Sequence, residues 1–226
     1  MPEIVIVVPA RGGSKRVPRK NIAPLGGKPL LHWTLARAAE GLPLATLIVS
    51  TEDDEISHVA EQAGARVIKR PIEICGDGAS TESALLHVLD QPGLDPDWVM
   101  CLPPSSPFRS AATIARVAGM AGQDGSVDCY FTVTESRGDF WRPGPTGNWV
   151  RMEPQASRRQ QDRQPLVEEN SAIYLTRVSA LRATKFIMGN HAVGVPIDPR
   201  EATDINTSED LDMAEALLNA GLVEAL

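Results

Sequence analysis

Residues 4–22 read Ile4-Val5-Ile6-Val7-Val8-Pro9-Ala10-Arg11-Gly12-Gly13-Ser14-Lys15-Arg16-Val17-Pro18-Arg19-Lys20-Asn21-Ile22. The first five are all β-branched, which predicts a strand buried on both faces and therefore central in a parallel sheet. The strand runs straight into Arg-Gly-Gly-Ser-Lys-Arg. Glycines at 12 and 13 lack a Cβ, so the backbone there can turn tightly and approach a ligand. Successive N–H groups in such a turn form an anion-binding concavity. Five of the ten residues from Arg11 to Lys20 are Lys or Arg, and no Asp or Glu occurs between Glu3 and Glu40. The whole chain carries a net charge of −7. A local cationic loop in an acidic protein points to a specific anion, most simply a polyphosphate. Its place at the carboxyl end of a first buried strand supports this, because open α/β sheets bind ligands there. The competing reading is a solvated basic turn. Two familiar nucleotide loops are excluded: the stretch matches neither G-x-x-x-x-G-K-[ST] nor G-x-G-x-x-G.

Working outward, 226 residues suffice for one large α/β domain. No apolar run approaches the length of a membrane span, and Met1-Pro2-Glu3 leads into a strand rather than a signal peptide. The expectation is a cytoplasmic protein with no membrane partner. Cys75, Cys101 and Cys129 are odd in number and form no C-x-x-C, so they read as reduced, the last two in core strands. The four histidines show no metal-ligand spacing. Net negative charge and the lack of an aromatic platform argue against a nucleic-acid partner.

Strands and helices alternate through the first 133 residues. Leu30 to Ala39 is an amphipathic helix, stopped by Gly41 and Pro43, and Leu47 to Thr51 is a second buried strand. Asp53-Asp54-Glu55 charges the next helix N-terminus favourably. Arg66 to Ile68 is a short strand, and a loop carrying Asp77 leads into a helix from Thr81. Trp98 to Leu102 and Val127 to Val133 are further strands, with a helix between them that Ser110 or Thr113 can cap. The alternation fails at about 135–168, a polar stretch with turn signals at Pro143-Gly144-Pro145 and Thr146-Gly147-Asn148. Trp141 and Trp149 are its aromatic anchors, and it reads as a β-ribbon or loop insertion. A strand at 171–175, a strand at 192–197 and a last helix from Ser208 complete the chain. The layout predicts a single α/β domain over 1–226, doubly wound around a mostly parallel sheet.

Pro9-Ala10-Arg11-Gly12-Gly13-Ser14-Lys15-Arg16-x-Pro18-x-Lys20-Asn21, followed by Gly27-Lys28-Pro29-Leu30, resembles the signature of the acylneuraminate cytidylyltransferases (CMP-sialic acid synthetases). Further segments resemble that family in the same order: Ile48 to Asp53, Arg70-Pro71-x-Glu73, Asp77-x-Ala79-Ser80-Thr81, Leu102 to Arg109, Arg158 to Asp162, Glu169 to Tyr174, and Asp204-Ile205-Asn206-Thr207. The resemblance implies a nucleotidyltransferase fold that transfers CMP from CTP to a nonulosonic 2-keto sugar acid, with Mg2+ and release of pyrophosphate. It also implies a homodimer in which the ribbon packs against the partner.

Carried over by position, the resemblance puts CTP on Ala10, Arg11, Gly12, Gly13, Ser14, Lys15, Asn21, Arg70, Ala79 and Thr81. The backbone N–H groups of Arg11 to Ser14 are candidate donors to the triphosphate, and Arg11, Lys15 and Lys20 offset its charge. Arg16 and Arg19 are equally well read as solvated. Arg11, Lys20 and Asp204 are the candidate catalytic residues. Asn21 either contacts base or ribose or closes the turn, and Ser80 and Thr81 either cap a helix or face the ligand. Asp204 and Asn206 stand two apart, so in an extended segment they share a face and are candidate Mg2+ ligands; an Asx-turn is the alternative. The acceptor falls to Pro103, Ser105, Arg159, Asn170 and Tyr174. Three features depart from the family pattern: Asn206 where Asp is usual, Pro103 where a sugar-contacting Gln is usual, and one extra residue in Arg159-Gln160-Gln161-Asp162. They leave open a different acid acceptor, such as an octulosonate or a phosphonate, and a catalytically weak CTP-binding homologue.

Overall fold

The β-branched run becomes β1 (Ile4–Pro9). The chain continues through β2 (Pro24–Leu25), β3 (Lys28–Pro29), α1 (Leu30–Gly41), β4 (Thr46–Thr51), α2 (Asp54–Gln62), β5 (Arg66–Lys69), α3 (Thr81–Leu89), β6 (Trp98–Cys101) and α4 (Ala111–Ala118). It ends with β7 (Cys129–Ser136), β8 (Trp141–Pro143), β9 (Trp149–Arg151), β10 (Leu166–Arg177), α5 (Val178–Thr184), β11 (Ala192–Pro196) and α6 (Ser208–Asn219). The computed structural model describes residues 2–76 and 78–226, so Met1 and Asp77 lie outside the described residues.

Seven strands form one sheet in the order β11-β7-β10-β6-β1-β4-β5. β1 pairs in parallel with β4 on one side and β6 on the other. Alternate residues of β1 feed opposite layers, as the pleat requires. Ile6 and Val8 pack with Leu31, Leu35, Ile56 and Ile114 of α1, α2 and α4. Val5 and Val7 pack with Leu85 and Val88 of α3 and Leu181 of α5. Helices thus cover both faces, which is why every residue from Val5 to Val8 is apolar and buried.

The chain leaves β1 toward β4 and β5, then returns to place β6 on the other side of β1. The sheet therefore has a topological switch point between β1 and β6, where the loops leaving the carboxyl ends part and open a crevice. A two-residue loop, Gly26-Gly27, joins β2 to β3 with φ of +57° and +74°, the pair of left-handed residues that a tight hairpin demands.

β10 breaks the parallel pattern, running antiparallel to both β6 and β7. Its ladder with β7 extends to Leu166 opposite Ser136. The stretch outside the sheet is therefore 137–165, shorter than the 135–168 expected, because Glu135-Ser136 carries no apolar signal and Leu166-Val167 is followed by three polar residues. Within it β8 and β9 pair as a ribbon. Arg151 and Arg163 fasten the base of the ribbon, donating to Asp139 and to the carbonyls of Ala156, Ser157 and Arg137. The ribbon and its flanks leave Phe140, Trp141, Trp149, Met152 and Val167 exposed.

Candidate active site

A cleft of about 290 Å³ opens at the switch point, where the exits of β1, β5 and β6 converge. Arg11, Ser14, Lys20 and Asn21 line it from the cationic loop; Arg70, Ala79 and Thr81 line it from the opposite loop and the start of α3; Pro103 and Ser105 close it. The two readings of residues 80–81 coexist, since Ser80 caps α3 by accepting from the Ser83 N–H (3.2 Å) while Thr81 faces the cleft.

Lys20 donates through Nζ to the Ile205 carbonyl (2.7 Å), and the Ile205 N–H donates to the Ser105 carbonyl (2.8 Å), so three sequence-distant segments meet at Ile205. Burial pushes the Lys20 ammonium below its ordinary pKa, with nearby Asp204 acting in the opposite direction. Arg70 is buried and donates to both the side chain and the carbonyl of Ser50 (3.1 and 2.7 Å), which fixes its guanidinium beneath the cleft. Arg11 reaches across to the Gly76 carbonyl (3.1 Å). Asn21 is buried and donates to the Arg11 carbonyl (2.9 Å), so its amide closes the loop.

The loop corrects one expectation. The Gly12 N–H already donates to Glu52 (2.7 Å) and the Ser14 N–H to the Gly12 carbonyl (3.0 Å), so neither points freely at a ligand. Gly12 is required by packing: a Cβ there would collide with the Asp53 carboxylate. Asp53 in turn caps α2 and pairs with Arg19, whose hydrogen bond holds the Asp53 carboxyl below its usual range. Gly13 faces open space. Ala10 is buried and donates to the Ser50 carbonyl (3.0 Å) rather than lining the cleft. Lys15 lines an adjoining recess with Arg16 and Asn206.

A second cavity, about 420 Å³, opens between the paired ends of β7 and β10 and the 199–204 segment. The register of β10 shifts between Glu169 and Tyr174, and Ser171 sits at φ +58°. This is a bulge, the device by which a strand re-aims side chains beside a site. Asn170 lies on it, its Oδ1 accepting from Thr132 Oγ1 (2.6 Å) and the Ala172 N–H (3.2 Å) while its buried Nδ2 has no partner. Asp204 lines the same cavity; its Oδ2 accepts from Asn206 Nδ2 (2.5 Å) and its Oδ1 is buried without a partner.

Two expected acceptor contacts fall elsewhere. Tyr174 packs in the core with Val7 and Cys101 and lines neither cavity; its hydroxyl donates to Glu169 and lies within hydrogen-bond distance of the Ser171 hydroxyl (3.1 Å), so it supports the second cavity from beneath. Arg159 sits on an exposed turn of the 137–165 excursion and lines neither cavity. Asn206 is also not free as a metal ligand, because its Oδ1 accepts from Arg16 (2.9 Å). Among the described residues no group of three or more His, Cys, Asp or Glu could hold a metal ion. Burial pushes the Cys101 and Cys129 thiols up to about 12, which removes them as nucleophiles.

Sequence reasoning assigned no role to Arg109. It is fully buried and donates to the carbonyls of Ala172 (2.5 Å) and Pro103 (2.6 Å) and to Thr34 Oγ1 (2.6 Å), tying a residue of the first cleft to the strand that lines the second. Its place at the end of Leu102 to Arg109 was the only signal.

The family model described as cytidylyltransferase matches residues 5–181. The chain belongs to the cytidylyltransferase family. It is 27% identical over 215 residues to the N-acylneuraminate cytidylyltransferase of Escherichia coli O18:K1:H7, covering 94% of this chain and 51% of that protein. It is 29% identical over 219 residues to the pseudaminic acid cytidylyltransferase of Campylobacter jejuni serotype O:23/36, covering 93% of this chain and 94% of that one. The chain thus spans about half the length of the first relative and nearly all of the second. Among solved structures, a CMP:2-keto-3-deoxy-manno-octonic acid synthetase complexed with CTP superposes with a TM-score of 0.72 over 97% of this chain and 99% of that chain. At 17% identity this likeness speaks to the fold, the nucleotidyltransferase-type α/β sheet. No helix among the described residues is long and apolar enough to cross a membrane.

Proposed function

We propose that the protein transfers CMP from CTP to a nonulosonic 2-keto sugar acid, releasing pyrophosphate. The observation that carries this is the convergence of Arg11, Lys20, Arg70 and Thr81 on one cleft at the switch point of a cytidylyltransferase sheet. The relatives named for N-acylneuraminate and pseudaminic acid support the acceptor class.

The chemistry follows from position. Lys20 and Arg11 offset triphosphate charge, while Arg70 and the Ala79–Thr81 turn face the rest of the nucleotide. The acceptor's anomeric hydroxyl attacks the α-phosphorus in line with the departing pyrophosphate, so catalysis is mainly positioning and charge stabilisation. The donor set fits one Mg2+ contact. Asp204 Oδ1, buried and unpartnered, would hold the ion, in keeping with the few protein ligands Mg2+ takes. The ion would supply neutralisation of charge on the transferring and leaving phosphates. Asn206 would join only by releasing Arg16.

The same reading makes the protein a homodimer joined through the ribbon, supported by the exposed Trp141, Trp149 and Met152. Three free, buried cysteines support a reducing, cytoplasmic setting.

A pyrophosphate-release assay tests the reading, with each nucleoside triphosphate in turn across nonulosonate, octulosonate and phosphonate acceptors, on protein whose oligomeric state is measured by light scattering. The expected result is release that requires CTP and a nonulosonate, from a dimer. Release only with another acid replaces the acceptor. Calorimetric CTP binding without turnover on any acid favours the CTP-binding homologue, the alternative that Asn206 keeps open.

A further inference from the structure

The loop that carries Lys20 is held at both of its ends by the turn between β4 and α2, which places two carboxylates side by side. Glu52 accepts from the Gly12 N–H (2.7 Å) where the loop begins, and Asp53 pairs with Arg19 where it ends. Asp53 is anchored independently of that pair, because its side chain caps α2 by accepting from the Glu55 and Ile56 N–H groups (both 3.0 Å). Arg19 forks onto this anchor, with Nη1 and Nη2 on the Asp53 carboxylate and Nη2 also on Glu55 (2.5 Å). A planar guanidinium on a carboxylate already fixed in place makes a geometrically defined contact. Arg11, Lys15, Arg16 and Lys20 line the cleft or the recess beside it, whereas Arg19 lines neither.

The backbone at Arg19 shows what the tie holds. Arg19 sits at φ +57° and ψ +29°, the left-handed region that a residue with a Cβ disfavours. This conformation opens the short helical turn Lys20–Ile22, in which the Ile22 N–H donates to the Arg19 carbonyl (2.9 Å) and no side chain caps the start. The turn delivers two residues to the cleft, Lys20 with Nζ on the Ile205 carbonyl and Asn21 with its amide on the Arg11 carbonyl. A change of φ at residue 19 swings both.

Resting on the CTP-dependent reading above, we propose that Arg19 is a positioning residue: its ion pairs with Asp53 and Glu55 hold the left-handed backbone that aims Lys20 and Asn21 at the nucleotide, and its charge does not touch CTP. The Arg19 side chain is 41% exposed, so the tie is a modest one. The effect of cutting it is that of freeing one residue's backbone, not of unfolding the loop.

Glycine separates backbone from charge. Arg19→Ala removes the ion pairs and keeps a Cβ, whereas Arg19→Gly removes the pairs and adopts positive φ freely. In the pyrophosphate-release assay at saturating sugar acid, kcat/KM for CTP is expected to fall about tenfold in Arg19→Ala, the scale on which a Cβ disfavours the left-handed well, and to stay within about threefold of wild type in Arg19→Gly. Asp53→Asn keeps an oxygen for the helix cap and drops the charge. It is expected to lower kcat/KM in the wild-type background and to have no effect in the Arg19→Gly background. Calorimetric Kd values for CTP are expected to follow the same order. Arg19→Gly as impaired as Arg19→Ala overturns the proposal, because the charge then acts on the nucleotide. So does Arg19→Ala at the wild-type rate, because the loop then needs no tie. Where Arg19→Ala does not fold, the Asp53→Asn comparison decides: an equal loss in both backgrounds overturns the proposal. A wild type that neither binds CTP nor releases pyrophosphate with any acid removes the functional reading and this inference together. Turnover without a difference between Arg19→Ala and Arg19→Gly removes the inference alone.

Discussion

Two cavities of this molecule, the cleft at the strand exits and the cavity beside β10, share no lining residue. The first lies at the carboxyl ends of parallel strands, is rimmed by Arg11 and Lys20, and is assembled from turns that each follow a strand directly. The second lies beside an antiparallel pair, is rimmed by glutamates, and depends on a bulge and on the distant 199–204 segment. Arg109 donates to a carbonyl on each side. The difference teaches where variation is tolerated. A cleft built from strand exits is dictated by topology, since the exits of β1, β5 and β6 meet wherever this sheet forms. A site built on a bulge can be re-aimed by one or two residues without disturbing the sheet. Relatives at 27% and 29% identity carry the names of different sugar acids, as expected if the second cavity is the adjustable one.

The strongest way to break this comparison is at Lys20. Lys20→Ala removes the cation that bridges the loop to Ile205 and faces the cleft. We expect kcat/KM for CTP to fall by about 10²–10³-fold, the scale of losing one preorganised charge contact to a transferring group. A near-normal rate would take Lys20 out of the site. The pH profile gives an independent sign. The charged ammonium is the useful form, and burial lowers its pKa, so the free enzyme loses it at a lower pH than an exposed lysine would. The alkaline limb of kcat/KM should therefore begin below the ordinary lysine range and vanish in Lys20→Ala.

A smaller effect confined to the other cavity would sharpen it. Asn170→Ala removes the unpartnered amide nitrogen and also the acceptor of Thr132 Oγ1. The KM for the sugar acid should rise about tenfold, the value of one hydrogen bond from a buried donor, while the KM for CTP changes little. Equal changes in both would mean that the bulge serves the whole site rather than the acceptor.

The same contrast explains what the sequence made legible. The buried run Ile4 to Val8, the loop after it and the Thr81 turn lie in short contiguous motifs whose geometry is local, and Arg11, Ser14, Lys20, Asn21, Arg70, Ala79 and Thr81 all reach one cleft. The second cavity was less visible because its carboxylates lie on polar strand ends that resemble the start of an excursion. Nothing local announces that the 134–136 and 168–171 segments come together, which depends on pairing Ser136 with Leu166 across the whole ribbon. Tyr174 was misplaced for a related reason. It was assigned by position in the Glu169 to Tyr174 motif, and the structure buries its ring with Val7 and Cys101 while only its hydroxyl reaches Glu169 on the bulge. Gly12 looked like a ligand-approach glycine, and its neighbour proved to be Asp53, brought in by the β4–α2 turn.

The smallest expected effect lies at Asn206, on the junction between the cavities. Its amide donates to Asp204 Oδ2 while its oxygen accepts from Arg16, so the side chain now acts as a spacer between a carboxylate and a guanidinium. Asn206→Asp exchanges the donor for a second negative charge. Without a divalent cation, two carboxylates two residues apart repel, and the melting temperature should drop by a few degrees, about 1 kcal/mol. With Mg2+ the same pair offers two oxygens, so the melting temperature should recover and half-maximal activity should need about threefold less Mg2+. A variant that is destabilised equally with and without Mg2+, with an unchanged metal requirement, would show that the ion does not bind at this junction. Asp204 would then serve the acceptor cavity alone, and the two cavities would be joined only through Arg109.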